Sequence, residues 1–191
     1  MKTIVLASAS PRRKALLKQI GLKFKVDTGV QEDILNMGPE PHQSARQISL
    51  KKAQSVAGKY HDAIIIAADT FGVIDGRILG KPHSESEARA MLETINGRRH
   101  AVITGFTVMD TGTAKTLSSS VETTVFIKHL TKTEIENYVK SGEPLDKAGA
   151  YAIQGLGAVI VERMEGDYSN VMGLPLCALT TALKEFGINV L

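Results

Sequence analysis

Six charged side chains, spread along a chain of 191 residues, have the types that bind and activate phosphate compounds. The cations are Arg12, Arg13, Lys52 and Lys81, and the acids are Glu32 and Asp69. Cations and backbone N–H groups neutralise phosphate oxygens, whereas carboxylates hold a divalent ion or orient a water molecule. Together they would suit a triphosphate–metal complex. Each residue could equally be an ordinary surface residue or a cap, and spacing alone does not bring them together.

The N-terminal cations belong to a predicted helix start. Ser10 is suited to the N-cap and Pro11 to the first helical position, so Arg12 and Arg13 fall in the first turn. This end of a helix already carries partial positive charge, which disfavours cations. A bound phosphate would resolve the conflict, because N–H groups, both guanidiniums and the hydroxyls of Ser8 and Ser10 would converge on it. A solvated arginine pair is the alternative, and the motif alone favours the phosphate site only slightly.

The most hydrophobic stretch, residues 63–69, predicts a strand buried on both faces with Asp69 at its carboxyl end. Thr70 follows directly. In α/β sheets ligands bind at the carboxyl ends of strands, so Asp69 is the best-placed acid.

Lys52 and Lys81 have less specific surroundings. Lys52 falls within the apolar stripe of a helix predicted from Gln43 to Gly58. It is either a snorkelling residue at the edge of the stripe, which the pattern favours, or a cation directed into a cleft. Lys81 lies between Gly80 and Pro82 in an exposed turn. We expect both amines to line the same cleft as Asp69.

The remaining elements predict a mixed sheet with flanking helices, because strands and helices do not alternate strictly. Expected strands cover residues 3–6, 23–30, 71–79 (a hairpin turning at Asp75-Gly76), 100–109 (interrupted at Thr104-Gly105), 121–129 and 156–161. Expected helices cover residues 84–95, 131–141 and 175–186, and residues 146–157 and 167–173 are expected to be loops, the first of them ordered.

Composition excludes several classes of protein. The hydrophobic content of 43% and charged content of 23% are ordinary for one globular domain, which could be bilobed. The net charge of +3 includes no basic run of the kind that binds nucleic acid, and no stretch approaches a membrane span. The N-terminal apolar run ends at Ser8, too early for a signal peptide. With Cys177 as its only cysteine, the chain has no intrachain disulfide, which indicates a reducing compartment and a cytoplasmic protein.

Other catalytic motifs are absent from the sequence. No glycine loop of a P-loop ATPase occurs, and the histidines lack the spacing of a zinc site. Ser8 and Ser10 lack the context of a serine hydrolase nucleophile.

The sequence resembles the Maf family of nucleoside triphosphate pyrophosphatases over nearly the whole chain. The matching blocks, in the order of the family, are residues 6–13, 68–70, 79–82, 97–100, 104–105, 142–144, 146–151, 153–155 and 170–175. Asp69 matches the catalytic base of the family. Arg13, Thr70 and Gln154 match the triplet of the branch that prefers dTTP and UTP. Pro11 stands where the 7-methyl-GTP branch has tyrosine, and Met172, where valine is common, is a conservative departure.

The resemblance implies one Maf-like domain over residues 1–191, with an elongated α/β fold similar to inosine triphosphatase: a mixed sheet flanked by helices, and two lobes around a central cleft. It implies cleavage between the α- and β-phosphates. Asp69 would position the water, and Glu32 with Asp69 would hold Mg²⁺ or Mn²⁺. Arg12, Lys52 and Lys81 would stabilise phosphate charge.

The same resemblance implies that Arg13, Thr70 and Gln154 read the base edge or fix its pose. It allows a homodimer. The competing hypothesis is a nucleotide-binding regulator of septum formation without turnover. The intact Asp69 and the set of cations favour the enzyme.

Overall fold

The structure, a computed structural model, describes residues 2–29 and 40–191. Within these ranges the strands are β1 (Thr3–Leu6), β2 (Lys25–Val26), β3 (Ala63–Ile74), β4 (Arg77–Leu79), β5 (Arg99–Asp110), β6 (Thr116–Ile127) and β7 (Val161–Glu165). The α-helices are α1 (Pro11–Gln19), α2 (Pro41–Ala57), α3 (Glu85–Ile95), α4 (Lys132–Lys140), α5 (Tyr168–Val171) and α6 (Leu176–Lys184). Short 3-10 helices cover Glu143–Asp146, Ala148–Ala150 and Gly155–Val159.

The strands form a mixed sheet, as predicted. The order is β2-β1-β3-β5-β6-β7, and β4 pairs with β3. β1 runs parallel to β2 and β3, whereas the β3–β4 and β6–β7 pairs are antiparallel. The mixed α/β class with flanking helices is therefore confirmed.

The chain divides into two compact units. The first comprises Met1–Thr70, Thr104–Val121 and Met172–Leu191, and the second comprises Phe71–Ile103 and Glu122–Val171. In the first unit, side chains of β1, β3 and α2 share a buried apolar cluster that includes Val5, Ile65 and Val56. In the second, α3 and α4 pack with β5 and β6 around a cluster that includes Leu92 and Ile135.

Local turn and cap signals are confirmed. Asp75 and Gly76 have φ of 50° and 72°, and Ile74 pairs with Arg77, so β3 and β4 are joined by the two-residue turn that the dipeptide predicts. The capping box of Thr131 and Glu134 begins α4 with both reciprocal bonds.

One correction concerns β3, which does not end at Asp69 but continues to Ile74. The prediction was wrong because the hairpin with β4 extends the same strand. Parallel pairing with β1 does end early: Leu6 pairs with Ile66, and the N–H of Ala7 donates to the carbonyl of Ile66 at 2.8 Å. Asp69 therefore lies three residues beyond the end of the parallel pair, which is the position that matters for ligand binding.

A second correction concerns β5, which passes through Thr104 and Gly105 without interruption. Gly105 is needed there for close packing and not to break the strand. A Cβ at this position would lie 2.1 Å from the carbonyl oxygen of Ala45 on α2. The glycine therefore lets α2 approach the sheet.

The predicted strand at residues 156–161 is also wrong. Gly155–Val159 forms a 3-10 helix, and β7 begins at Val161. The predicted loop at 167–173 contains the single turn of α5. Of the strand predicted at 23–30, the described residues 23–29 contain a strand at Lys25–Val26 only. No helix in the described part of the chain is long and apolar enough to cross a bilayer.

Candidate active site

The start of α1 is built by two serines. The hydroxyl of Ser10, the N-cap, accepts from the N–H of Arg13 at 3.5 Å. The hydroxyl of Ser8 accepts from the N–H of Ser10 at 3.2 Å, which shapes the turn between β1 and α1. The predicted helix start is therefore confirmed. Arg12, in the first turn, is half-buried, and no carboxylate among residues 2–29 and 40–191 pairs with it.

Arg13 points inward and joins distant parts of the first unit. Its Nε donates to the carbonyl of Gly173 at 2.7 Å, one Nη to the hydroxyl of Ser8 at 3.2 Å, and the other Nη to the hydroxyl of Thr70 at 3.1 Å. Burial lowers the pKa of Arg13 and the charge of Asp69 opposes that shift, but the guanidinium stays charged. Arg13 is thus buried and bonded inside the first unit, whereas its neighbour Arg12 is half-buried.

Thr70 also bonds to a residue that the sequence patterns did not single out as a site candidate. The hydroxyls of Thr70 and Thr104 lie 2.8 Å apart, and Thr104 is fully buried. The motif that contains Thr104 matched the family, but its hydroxyl was interpreted only as part of a strand break. A polar residue inside an otherwise apolar strand is the signal that could have identified it.

Asp69 forms an ion pair with Lys52. The ammonium of Lys52 donates to Oδ1 of Asp69, and the side chains are 33% and 20% exposed. Both groups are therefore reachable from solvent while held against each other. Of the two interpretations of Lys52, the structure supports a cation directed at the acid, since its amine contacts Asp69.

Helix α2 presents Lys52 to β3 through a seam of small residues. Ala45 meets Gly105, and the hydroxyl of Ser49 lies 2.8 Å from that of Thr107 on β5. Positions 45, 49 and 52 have the i, i+4, i+7 spacing of one helix face, so the seam sets where Lys52 stands.

The second unit contains the other two candidates. Lys81 is exposed in the turn after β4, and the carbonyl of Gly80 accepts from the N–H of Gly149 at 2.9 Å. Gln154 is exposed, with extended backbone (φ −115°, ψ 170°), directly before the 3-10 helix Gly155–Val159. The turn that bears Lys81 is thus bonded to the same stretch of chain that leads to Gln154.

A buried histidine lies close to these turns within the second unit. Nε2 of His100 is 2.8 Å from the hydroxyl of Tyr151, and no described residue bonds to its Nδ1. Burial lowers the pKa of His100 to about 4, so the ring is neutral near pH 7. His100 is a core residue that supports Tyr151.

The predicted metal ligands can be examined only in part, because Glu32 lies outside the described residues. Among residues 2–29 and 40–191 there is no group of three or more His, Cys, Asp or Glu side chains that could hold a metal ion. Of the candidates, the first unit contains Ser8, Ser10, Arg12, Arg13, Lys52, Asp69 and Thr70, and the second contains Lys81 and Gln154.

Comparison with known proteins gives a consistent picture. The model of the Maf family, described as Maf-like protein, matches residues 3–186. A protein of Pelotomaculum thermopropionicum, named dTTP/UTP pyrophosphatase, is 47% identical over 191 residues, covering 100% of both chains. A protein of Methanococcoides burtonii with the same name is 49% identical over 191 residues, covering 100% of this chain and 98% of the relative.

A solved structure supports the fold. A HAM1 protein from Coxiella burnetii matches with a TM-score of 0.56 and 18% identity, covering 97% of this chain and 100% of that one. At this identity the likeness concerns the fold alone, and it agrees with the fold class that the sequence predicts.

Proposed function

The chain belongs to the Maf family, and from that premise we propose that it is a hydrolase that cleaves dTTP and UTP between the α- and β-phosphates, releasing the nucleoside monophosphate and pyrophosphate. The observation that carries the proposal is the Lys52–Asp69 ion pair next to Thr70, in a chain that aligns over its full length with proteins named for this activity.

Asp69 acts as the general base in this proposal. Its carboxylate takes a proton from a water molecule whose oxygen bonds to the α-phosphorus, while the bond from that phosphorus to the bridging oxygen breaks. Lys52, already in contact with Asp69, and the exposed Lys81 stabilise negative charge on the transferred and leaving groups. Arg12 and the hydroxyls of Ser8 and Ser10 bind phosphate oxygens at the start of α1.

The donor chemistry fits a hard divalent cation. Asp69 offers a carboxylate on a side chain that is 20% exposed, and Mg²⁺ is commonly held by one or two carboxylates together with substrate phosphates. Asp69 and Glu32 would hold Mg²⁺ or Mn²⁺. The ion would neutralise phosphate charge and make the α-phosphorus more electrophilic.

We assign the discrimination between nucleotide bases to Thr70 and Gln154, and Arg13 fixes the pose of Thr70. The edge of thymine or uracil presents two carbonyl acceptors flanking one N–H donor, and a glutamine amide can donate and accept against that pattern. Three of the N–H groups of Arg13 are bonded inside the protein, which supports a role in positioning the Thr70 hydroxyl.

The proposal is tested by pyrophosphate release from dTTP, UTP, CTP, ATP and GTP in the presence of Mg²⁺ or Mn²⁺. We expect dTTP and UTP to have the largest specificity constants. Comparable constants for dTTP and GTP would contradict the pyrimidine preference. Saturable nucleotide binding without pyrophosphate release from any of the five would instead favour the regulator without turnover.

The setting of the enzyme is part of the same proposal. We infer that residues 1–191 act as one catalytic domain on a small nucleotide, with no nucleic-acid or membrane partner, in the cytoplasm as the single cysteine suggests. A homodimer is proposed from the family resemblance alone. Light scattering of the purified chain checks it.

A further inference from the structure

Gln154 is exposed, so its side chain keeps one direction only if the backbone around it is held in place. Gln154 precedes a 3-10 helix rather than standing on a regular strand or a long helix. Sites on loops are less exact than sites on strands or long helices unless neighbouring groups hold the backbone. The contacts around Glu143 supply that support.

Glu143 accepts three hydrogen bonds within the second unit. Its Oε2 accepts from the N–H of Leu156 at 3.0 Å. Its Oε1 accepts from the N–H of Gly157 at 2.8 Å and from the hydroxyl of Tyr138 at 2.8 Å. Burial raises the pKa of Glu143, but the bonds from Gly157, Tyr138 and Leu156 outweigh it and hold the pKa below its usual value. The carboxylate is therefore ionised near pH 7.

The other side of Gln154 is tied to the same pair of side chains. The hydroxyl of Tyr138 accepts from the N–H of Ala152 at 3.2 Å while donating to Glu143. The backbone is thus bonded two residues before Gln154 and again two and three residues after it. Tyr138 is itself 6% exposed in the core, so this anchor is rigid.

The backbone closes tightly around the carboxylate. Gly155, directly after Gln154, has φ of 67°, and a Cβ there would lie 2.3 Å from Oε2 of Glu143. A Cβ on Gly157 would lie 2.6 Å from the hydroxyl of Tyr138 and 2.1 Å from the carbonyl oxygen of Ala152. These glycines let the chain wrap around Glu143, which ordinary residues would prevent.

We propose that Glu143 is a positioning residue for base discrimination, which holds the backbone on both sides of Gln154 and thereby sets the pose of its amide. The inference rests on the proposed function, in which Gln154 pairs with the pyrimidine edge. It adds Glu143, with Tyr138 as its partner, to the residues that determine which nucleotide is cleaved.

An ionised carboxylate suits this place because it only accepts hydrogen bonds. Glutamine has the same length, but its NH₂ group would face one of the donors that Glu143 now satisfies. Glu143→Gln therefore removes part of the anchor with little change in volume. Because small misplacements of a contacting group have large kinetic effects, we expect the ratio of kcat/KM for dTTP to that for GTP to fall roughly tenfold.

Glu134→Gln is the matched control. Glu134 lies in the same unit and accepts from the N–H of Thr131 at 2.7 Å and from Lys128 at 3.0 Å, but its bonds hold the start of α4. We expect the control to lower the temperature of thermal unfolding and to leave the dTTP/GTP ratio unchanged. A merely structural role for Glu143 predicts the same behaviour for both variants.

The decisive measurement is a double-mutant cycle with Gln154→Ala. If Glu143 acts through Gln154, Glu143→Gln changes the dTTP/GTP ratio little further once the amide is gone. Independent losses that add in the double variant, or an unchanged ratio in folded Glu143→Gln, would overturn the inference.

Should Glu143→Gln not fold, Tyr138→Phe removes the hydroxyl that links Ala152 to Glu143. The ratio is then expected to fall roughly threefold, and an unchanged ratio again overturns the inference. A wild-type enzyme without preference for dTTP would contradict the proposed function instead.

Discussion

The regions around Asp69 and around Gln154 are stabilised in different ways. Near Asp69, side chains bond across long stretches of sequence: Arg13 reaches Thr70, 57 residues away, and Gly173, 160 residues away. Near Gln154, backbone N–H groups bond to Tyr138 and Glu143, which lie at most 14 residues away. One region is a junction of distant elements, and the other is a local wrap around two side chains.

This difference suggests a division of labour. Asp69 stands on a long strand to which α1, α2 and the segment at Gly173 are all linked in the first unit. Such a junction suits chemistry that is common to every nucleotide. The local wrap can change without disturbing that junction, so it suits substrate choice. Changes at Asp69 and Lys52 should therefore affect turnover of all nucleotides, and changes at Thr70 and near Gln154 should affect their ranking.

The largest expected effect is that of Asp69→Asn. Removing a positioned base costs about 10²–10⁴-fold in rate, so kcat for dTTP and UTP should fall by that factor while their ratio stays the same. The measurement is pyrophosphate release, with thermal unfolding as a check that the fold is intact. Asp62→Asn is the control, because Asp62 lies in the same unit with its side chain 67% exposed. Near-normal turnover in folded Asp69→Asn would show that the acid has a structural role only.

Gly105→Ala should disturb the packing of α2 against the sheet, which positions Lys52 near Asp69. The new methyl would collide with the carbonyl oxygen of Ala45, and overpacking of this kind costs about 1–3 kcal/mol of unfolding free energy. Pushing α2 away also moves Lys52 from Asp69, so kcat should fall for every nucleotide. Urea unfolding and pyrophosphate release measure the two effects.

Gly58→Ala is the control for Gly105→Ala, since Gly58 follows α2 directly and a Cβ there meets no atom within 4 Å. It should leave both stability and turnover nearly unchanged. Wild-type turnover in Gly105→Ala would mean that the seam does not position Lys52.

The sequence predicted what depends on neighbouring residues. Ser10 and Pro11 begin a helix, Asp75-Gly76 forms a hairpin turn and Thr131 caps α4, because each signal acts over a few residues. The resemblance to the Maf family added candidates that local signals do not show, since it placed Thr70 and Gln154 in one triplet with Arg13. Local signals and family motifs together therefore predicted the fold class and the candidates.

What the sequence could not predict depends on distant partners. Gly105 was interpreted as a strand break because α2, whose Ala45 needs the space, lies 60 residues earlier. The bonds of Arg13 to Gly173 and Thr70 were not predicted, because Gly173 lies near the other end of the chain. The strand predicted at 156–161 failed because its β-branched residues follow N–H groups already bonded to Glu143. Tertiary contacts decided each case.

A long-range pair beside the Gln154 segment, His100 with Tyr151, joins residues 51 positions apart. Burial lowers the pKa of His100 to about 4 from 6.5, so the unfolded chain binds a proton there before the folded chain does. Stability should therefore fall as the pH drops below 6.5, by about 2 kcal/mol at pH 5. Urea unfolding at pH 7 and pH 5 measures the difference.

His100→Gln removes the titrating group and should reduce that pH dependence, whereas substitution of the exposed His83 by glutamine should not. An unchanged pH dependence in His100→Gln would mean that the ring is not held neutral by the fold.

The smallest expected effect separates Arg12 from Arg13. Arg13 is bonded inside the junction, but Arg12 is half-buried at a helix end where positive charge is unfavourable. Arg12→Ala should therefore raise the unfolding free energy of the ligand-free protein by about 0.3–1 kcal/mol while weakening nucleotide binding.

Lys18→Ala is the matched control, because Lys18 lies in the last turn of the same helix and its removal should lower stability. Opposite signs for the two variants, measured by urea unfolding and nucleotide titration, would identify Arg12 as a cation kept for its ligand. Lower stability with unchanged binding in Arg12→Ala would instead make it a solvated surface residue, and phosphate binding would then fall to the lysines and the helix N–H groups.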